Sequence, residues 1–275
     1  MPSLIDRILS DGMEAFDGSP SPWDLHDYVD EALSSGWPEA LRVLGDRPRD
    51  RWLTGYVDHL VTREAPSLGI VRDPVRMRKY LHVLAANTGG VPTHKVLYDA
   101  AGIDRATAVS YDNLLDSLMI TQRVPAWAGN FLDRAVRLPK RYLIDPGLLN
   151  PILRVDHRRV LRDSDLLGRI LDTLVAAQFR AECALSVVGA DMYHLRDANG
   201  RHEIDLLIEA RDGQVIAVEV KATAAPARED ARHLEWLRER LGARLAMGLL
   251  VHSGPRVFGL SERILAVPLT SLWSR

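Results

Sequence analysis

Two runs of strand-forming residues flank a short turn, and this pattern constrains the fold more than any other. The runs are Glu203 to Ile208 and Val215 to Lys221, with Asp212-Gly213 between them. Asp-Gly favours the tight turns of β-hairpins because glycine adopts a positive φ without steric cost. The sequence therefore predicts two adjacent antiparallel strands in the C-terminal part of the chain.

Further helical and strand patterns surround this hairpin. The two helices show apolar residues at helical spacing, and the strand after them is continuously apolar. The predicted elements are a helix Leu166–Ala184, a strand Met192–Leu195 with an Asn199-Gly200 turn after it, a helix Arg228–Leu241, a strand Leu245–Val251 and an edge piece Val257–Leu260. This order predicts an αβββαβ domain over residues 164–275, in a mixed α/β or α+β fold.

Residues before this domain are expected to be mainly helical. Residues 1–66 contain short helical patterns, which predict a helical segment. Residues 67–163 contain three helix patterns followed by strand-like pieces at Ile120–Pro125 and Arg141–Ile144. Three helices and a small hairpin predict a winged helix-turn-helix domain with a basic linker.

Asp104 is the expected N-cap of the third of these helices, which would be the recognition helix of the winged helix-turn-helix. Its outward side is expected to carry Asp112, Asn113 and Asp116. Acidic side chains weaken binding to a phosphate backbone. The basic residues after this helix are therefore the favoured contact surface.

Three polar residues of the hairpin are candidates for catalysis. Strand periodicity puts Glu219 and Lys221 on one face, and the tight turn brings Asp205 beside Glu219. Two adjacent carboxylates repel each other unless a cation lies between them, so the pair is expected to bind Mg²⁺. Lys221 would hold the attacking water or neutralise charge on a phosphate. In the alternative interpretation Asp205 is a strand-edge acid and Glu219 is an ion-pair partner of Lys221.

The pattern of Asp205 and Glu219-Val220-Lys221 on a hairpin resembles the PD-(D/E)XK nuclease superfamily. This resemblance implies metal-dependent cleavage of phosphodiester bonds. It also implies a further acid on the helix before the strands. Asp172 matches that position, although the similar family more often has Glu there.

A wider resemblance covers Arg51 to Trp273. This region resembles the C-terminal part of a prokaryotic AAA-type ATPase family that ends in domain of unknown function 4143. The segment before it resembles the lid and linker that follow the ATPase core, which implies a helical lid- or linker-like segment over residues 1–66. The matching landmarks include Tyr56–Arg63, Pro139–Asp145, Leu167–Arg169, Tyr193–Asp197 and Pro268–Trp273. The chain contains no Gly-x₄-Gly-Lys-Ser/Thr loop, so no ATP site is expected in it.

Charge is distributed unevenly along the chain. Residues 1–60 hold five Lys and Arg against twelve Asp and Glu, whereas residues 123–162 hold nine against three. A dense basic block predicts contact with a polyanion such as DNA, or with the chain's own acidic segment. The candidate DNA-binding residues are Arg137, Lys140, Arg141, Arg158, Arg159 and Arg162.

Other features bear on the location of the protein. No apolar run approaches the ~20 residues that a membrane span requires, and the N-terminus lacks the layout of a secretory signal. The single cysteine, Cys183, excludes an internal disulfide. These features predict a cytoplasmic protein that does not bind membranes.

Two functions are compatible with the sequence. The first is a DNA-associated, Mg²⁺-dependent nuclease. The second is a non-catalytic interaction module of an AAA-type ATPase family, which keeps the fold and contacts another protein. A cation site open to solvent between Asp205 and Glu219 would favour the first function, and Lys221 paired inward in a closed pocket would favour the second.

Overall fold

The structure, a computed structural model, describes residues 2–42, 45–65, 73–128, 137–197 and 200–273. The chain divides into two compact units. The sheet unit consists of Met1–Tyr28, Val124–Arg137 and Val175–Arg275, and the helical unit of Val29–Arg123 and Leu138–Leu174. Residues of the three segments predicted from the sequence are distributed over these two units, and the boundary predicted at 66/67 lies outside the described residues.

The described part of the chain contains the following regular elements. Its α-helices are α1 (Leu4–Asp11), α2 (Leu25–Ser34), α3 (Pro38–Arg42), α4 (Asp46–His59), α5 (Pro74–Ala86), α6 (His94–Ala101), α7 (Arg105–Ser117), α8 (Leu149–Leu153), α9 (His157–Arg162), α10 (Ser164–Leu185) and α11 (Arg232–Leu241). Its strands are β1 (Thr121–Val124), β2 (Lys140–Leu143), β3 (Asp191–Arg196), β4 (Glu203–Glu209), β5 (Val215–Lys221), β6 (Leu245–His252), β7 (Phe258–Ser261) and β8 (Ile264–Pro268). The prediction of a mixed α/β protein is confirmed.

The six strands of the sheet unit form one sheet in the order β3-β4-β5-β6-β8-β7. Strands β3, β4 and β5 form an antiparallel meander, β5, β6 and β8 run parallel, and β7 is an antiparallel edge strand. The hairpin predicted at Asp212-Gly213 is present, and Gly213 has a φ of 86°. Asn199 of the other predicted turn lies outside the described residues. Strand β8 was not predicted.

Helix α11 packs on one face of this sheet. Leu234 and Leu237 are buried in a cluster that includes Leu207 and Ala217. A Cβ at Gly248 would lie 3.6 Å from the Cβ of Leu234, which is ordinary van der Waals contact, so the helix lies directly against β6. The helix therefore covers the middle of this face.

In the helical unit, helices α5, α6 and α7 precede a two-stranded sheet of β1 and β2. Asp104 caps α7 as predicted, because its side chain accepts a hydrogen bond from Thr107 N, and Thr93 caps α6 in the same way by accepting from Val96 N. These caps satisfy backbone donors that a helix start leaves without an intrahelical partner.

The position of Asp112 on α7 differs from the expectation. Its side chain is buried, and both carboxylate oxygens accept hydrogen bonds from Arg141, at 2.8 and 2.7 Å. The Tyr80 hydroxyl donates a third bond of 2.7 Å to the same carboxylate, and burial together with this anion raises the pKa of Tyr80. Asp112 is therefore an internal anion of the helical unit, not part of the outward side of α7.

Among the described residues, no helix combines the length and the apolar character that are needed to cross a lipid bilayer.

Gly254, in the loop after β6, provides a test of the packing at the carboxyl end of the sheet. A Cβ at this position would lie 1.9 Å from the backbone oxygen of Ala224. We expect Gly254→Ala to lower the free energy of unfolding by about 1–3 kcal/mol, because a backbone atom must move. Gly259→Ala is the matched control, since no atom lies within 4 Å of its added Cβ. Urea unfolding followed by tryptophan fluorescence measures both, and equal stabilities would contradict this packing.

Candidate functional site

The register of β4 and β5 brings the candidate catalytic residues together. The backbone pairing of β4 with β5 ends at Leu206↔Val218. If the same register continued by one residue, Asp205 would lie opposite Glu219. Opposite residues of antiparallel strands project from the same face. Asp205, Glu219 and Lys221 therefore share the face that α11 covers further along the strands.

Asp205 marks the end of the regular ladder between β4 and β5. Its Oδ2 accepts a 3.0 Å hydrogen bond from the backbone N–H of Val220. A regular antiparallel ladder would use a backbone carbonyl at this place. A carboxylate has about four acceptor positions, so this bond is compatible with coordination of a cation by the same side chain.

Glu219 and Lys221 form an ion pair with unequal exposure. Their charged atoms Oε2 and Nζ lie 3.6 Å apart, which is too long for a strong hydrogen bond. The Glu219 side chain is 5% exposed, whereas that of Lys221 is 37% exposed. A buried carboxylate requires a cationic or hydrogen-bonding environment, and Lys221 supplies positive charge from the solvent side.

The two carboxylates suit a magnesium ion as oxygen donors. Mg²⁺ is commonly bound through one or two carboxylates, with water in the remaining positions. In the ranges that the structure describes, no group of three or more His, Cys, Asp and Glu side chains is arranged to hold a metal ion. A metal ion at this place would therefore have Asp205 and Glu219 as its only protein carboxylates among the described residues.

A group of rings lies near these residues. The His202 ring stacks on the Trp236 ring with centroids 4.1 Å apart, and His202 Nδ1 lies 3.5 Å from His233 Nδ1. Burial lowers the pKa of His233, the positive charge of Lys221 adds to this effect, and Asp205 opposes it. No spacing rule links a loop histidine to a helix histidine 31 residues later, so this group was not predicted.

Asp172 lies in the helical unit, in a different environment from the other three candidates. Its Oδ2 is 2.8 Å from Lys140 Nζ, and its Oδ1 accepts a 2.9 Å hydrogen bond from the Tyr142 hydroxyl. Lys140 is 1% exposed and Asp172 is 6% exposed. The position of Asp172 on α10 is therefore that of a buried ion-pair partner.

The candidate DNA-binding residues fall into two groups. Lys140 and Arg141 are buried against Asp172 and Asp112, so these two do not offer their charges to a surface ligand. The remaining residues are exposed: Arg158, Arg159 and Arg162 on α9, and Arg137, which donates to the Arg196 carbonyl. The surface charge of the basic block is correspondingly smaller than its composition indicates.

Comparisons with known proteins identify two domains. Residues 25–159 match a domain of unknown function, DUF8612, and residues 167–272 match a domain of unknown function, DUF4143. The second match confirms the resemblance to domain 4143. An uncharacterized protein of Mycobacterium bovis and one of Mycobacterium tuberculosis are each 29% identical over 237 residues, which is 86% of this chain and 51% of theirs. The chain thus spans about half the length of these relatives. No solved structure gives a significant match.

The buried pair of Lys140 and Asp172 gives a prediction about stability. We expect Asp172→Ala to lower the free energy of unfolding by about 3–5 kcal/mol, because it leaves a buried ammonium without its anion. Replacing both residues, in Lys140→Met/Asp172→Leu, is expected to restore most of this loss. Urea unfolding checks both values.

Asp165→Ala is the matched control for Asp172→Ala, because Asp165 lies on the same helix with a 76% exposed side chain. Its loss is expected to cost less than about 1 kcal/mol. If Asp172→Ala were as stable as this control, the structural role of Asp172 would have to be abandoned.

Proposed function

We propose that the sheet unit is a PD-(D/E)XK nuclease-like domain that hydrolyses phosphodiester bonds of DNA with Mg²⁺. One observation carries this proposal: Asp205 and Glu219 are the first residues of β4 and β5 beyond their pairing, and the Asp205 carboxylate accepts a hydrogen bond from the N–H of Val220, between Glu219 and Lys221. The order α10-β3-β4-β5-α11-β6 is also the predicted αβββαβ order. The proposed location is the cytoplasm of a prokaryotic cell, in keeping with the resemblance to a prokaryotic family and with a DNA substrate.

Each of the three residues has a distinct role in this proposal. Asp205 and Glu219 would hold the metal ion through carboxylate oxygens. A bound Mg²⁺ supplies Lewis-acid polarisation of the phosphate and lowers the pKa of its water. Lys221, whose ammonium reaches solvent, would orient the attacking water or stabilise the negative charge that develops on the phosphate.

The helical unit supplies the proposed DNA contact through a winged helix. Both acids that argued against α7 as a contact helix have cationic partners: Arg141 binds Asp112, and Arg123 binds Asp116. The exposed residues of α7 are one apolar residue, Val109, and five small, polar or basic residues: Arg105, Ala106, Ser110, Asn113 and Ser117. This composition supports contact with a nucleic acid better than the sequence indicated.

The exposed arginines of α9 add a second proposed contact. Arg158, Arg159 and Arg162 lie on α9, which contains no acidic residue. The nearby Asp156 caps this helix through a hydrogen bond from Arg159 N. Arginine binds phosphate oxygens in a bidentate manner. Such contacts add affinity without sequence preference.

A non-catalytic module of an AAA-type ATPase family is the second candidate function. The 3.6 Å pair of Lys221 with Glu219 favours it, because an internal cation can replace a metal ion at the carboxylate. Asp172 binds Lys140 and is thereby used in the interior of the helical unit. The matched region makes up only 51% of each relative, which suits a module that works within a larger protein and contacts another polypeptide.

A cleavage assay distinguishes the two functions. Single-stranded, duplex and branched DNA are incubated with the full chain and with Mg²⁺ or Mn²⁺. We expect metal-dependent cleavage that falls at least about 100-fold in Asp205→Asn and in Lys221→Ala, because electrostatic stabilisation of this kind is worth several kcal/mol. Asn keeps an oxygen for the Val220 N–H, so the Asp205 variant is expected to remain folded.

Asp212→Asn is the control for loss of a carboxylate in the same hairpin. Asp212 is an exposed turn residue whose Oδ1 accepts from Gln214 N, and Asn preserves this bond. This variant is expected to cleave at the wild-type rate. Cleavage that survives in both Asp205→Asn and Lys221→Ala would refute the assignment of the site, and complete inactivity of the wild type would favour the non-catalytic module.

The α9 arginines give a prediction about DNA binding. We expect simultaneous replacement of Arg158, Arg159 and Arg162 by Gln to weaken duplex binding. The slope of log K against log salt should become shallower by up to about 0.9 for each lost phosphate contact. Fluorescence anisotropy between 50 and 200 mM salt, about the range over which such slopes are read, measures both quantities.

The matched control for this triple variant replaces Arg47, Arg51 and Arg63 by Gln. These exposed arginines lie elsewhere in the helical unit, and their loss changes the net charge equally. If both triple variants shift affinity and slope by the same amount, α9 makes no specific contribution to DNA binding.

A further inference from the structure

Two histidines of the sheet unit face each other through the same ring nitrogen. His202 lies in the loop before β4, and His233 lies in the first turn of α11. Their Nδ1 atoms are 3.5 Å apart, and the ring planes are inclined by 87°. Both side chains are half-buried. When both rings carry their protons on Nε2, each Nδ1 presents a lone pair to this gap, and imidazole nitrogen is a common ligand of transition metal ions.

The distance between the two nitrogens matches a metal ion quantitatively. Zn²⁺ binds histidine nitrogen at about 2.0–2.1 Å with tetrahedral angles, which separates two such nitrogens by roughly 3.4 Å. The observed separation is 3.5 Å. An ion could therefore bind between the rings with little movement when both imidazoles carry their protons on Nε2, because each Nδ1 then has a free lone pair.

The surroundings fix one of these rings in position. Trp236 stacks on His202 at 4.1 Å with nearly parallel planes, and Arg240 lies 5.1 Å from the Trp236 ring. Trp236 and His233 are both on α11. The same helix therefore positions the ring that stacks on His202 and the ring nitrogen that faces it. Rings held in place in this way bind an ion at a smaller cost in conformational entropy.

We propose that His202 and His233 form a binding site for a divalent transition metal ion such as Zn²⁺ or Cu²⁺, with water in the other coordination positions. The site is distinct from Asp205 and Glu219 in its chemistry. Imidazole nitrogen suits Zn²⁺, Ni²⁺ and Cu²⁺, whereas carboxylate oxygen suits Mg²⁺. The proposal does not depend on nuclease activity, because it rests on the two rings alone.

Charges near the pair set the expected strength of binding. Lys221 and Arg232 place positive charge near His233, whereas Asp205 places negative charge there. With two protein ligands and this mixed electrostatic environment, the affinity is expected to be micromolar, and far below that of a structural zinc site with four ligands.

Isothermal titration of the full chain with Zn²⁺ in the absence of DNA tests this proposal. We expect one ion per chain, and at least a tenfold loss of affinity in His202→Gln and in His233→Gln. His26→Gln is the control, because His26 is an exposed histidine of the same unit. Its affinity is expected to match the wild type. Unchanged affinity in both pair variants, or no binding at millimolar Zn²⁺, would overturn the proposal.

Asp205→Asn separates this proposal from the nuclease proposal. Zn²⁺ binding is expected to persist in this variant within a few-fold, although it removes a proposed Mg²⁺ ligand. Loss of Zn²⁺ binding in Asp205→Asn with retention in both histidine variants would assign the ion to the carboxylates instead.

Tryptophan fluorescence gives a second measurement, which does not require the histidine variants to fold. Cu²⁺ bound beside Trp236 is expected to quench part of the emission of the wild-type chain. Trp236→Phe is expected to lose that part, leaving five other tryptophans. Equal quenching amplitude in the wild type and in Trp236→Phe would place the ion elsewhere and overturn the proposal.

Discussion

The helical unit depends on two buried cations that are adjacent in strand β2. Lys140 and Arg141 project from opposite faces of the strand because strand side chains alternate. Lys140 reaches Asp172 of α10, and Arg141 reaches Asp112 of α7. One short strand is thereby bound ionically to helices on both of its sides. Each charge would be costly in the interior without its partner, so the four residues favour a single arrangement of the strand between these helices.

These pairs explain why composition overstated the basic surface of the chain. A run such as Lys140-Arg141-Tyr142-Leu143 has the polarity of an exposed strand, and charge counts treat both cations as available to DNA. Their partners lie 29 and 32 residues away in sequence, on helices that only the tertiary structure brings to β2. The same limitation applies to Asp112, because its helix alone does not reveal that a buried guanidinium faces it. The arginines of α9, by contrast, are exposed as expected.

The hairpin could be predicted because its determinants are local. A turn with glycine at positive φ fixes the register, and this register leaves Asp205 and Glu219 as the residues next to the last pair, Leu206↔Val218. The caps of α6 and α7 were equally local. Strand β8 and the ring group of His202, His233 and Trp236 were missed for the opposite reason. Strand β8 is short and ends at Pro268, and it is defined by its parallel pairing with β6. The rings meet only when α11 packs on the sheet.

The close approach at Gly254 has a mechanical consequence for the candidate site. Ser253 N donates to Thr223 O at 3.0 Å, and the backbone of Ala224 occupies the space where a side chain at position 254 would be. The segment that follows Lys221 and the segment that follows β6 are thus joined at backbone level. A displacement of one segment requires a displacement of the other, so a ligand that contacts either segment would meet a backbone whose movement is restricted. Association there would cost little loss of main-chain freedom, and shape selectivity would arise from this stiffness.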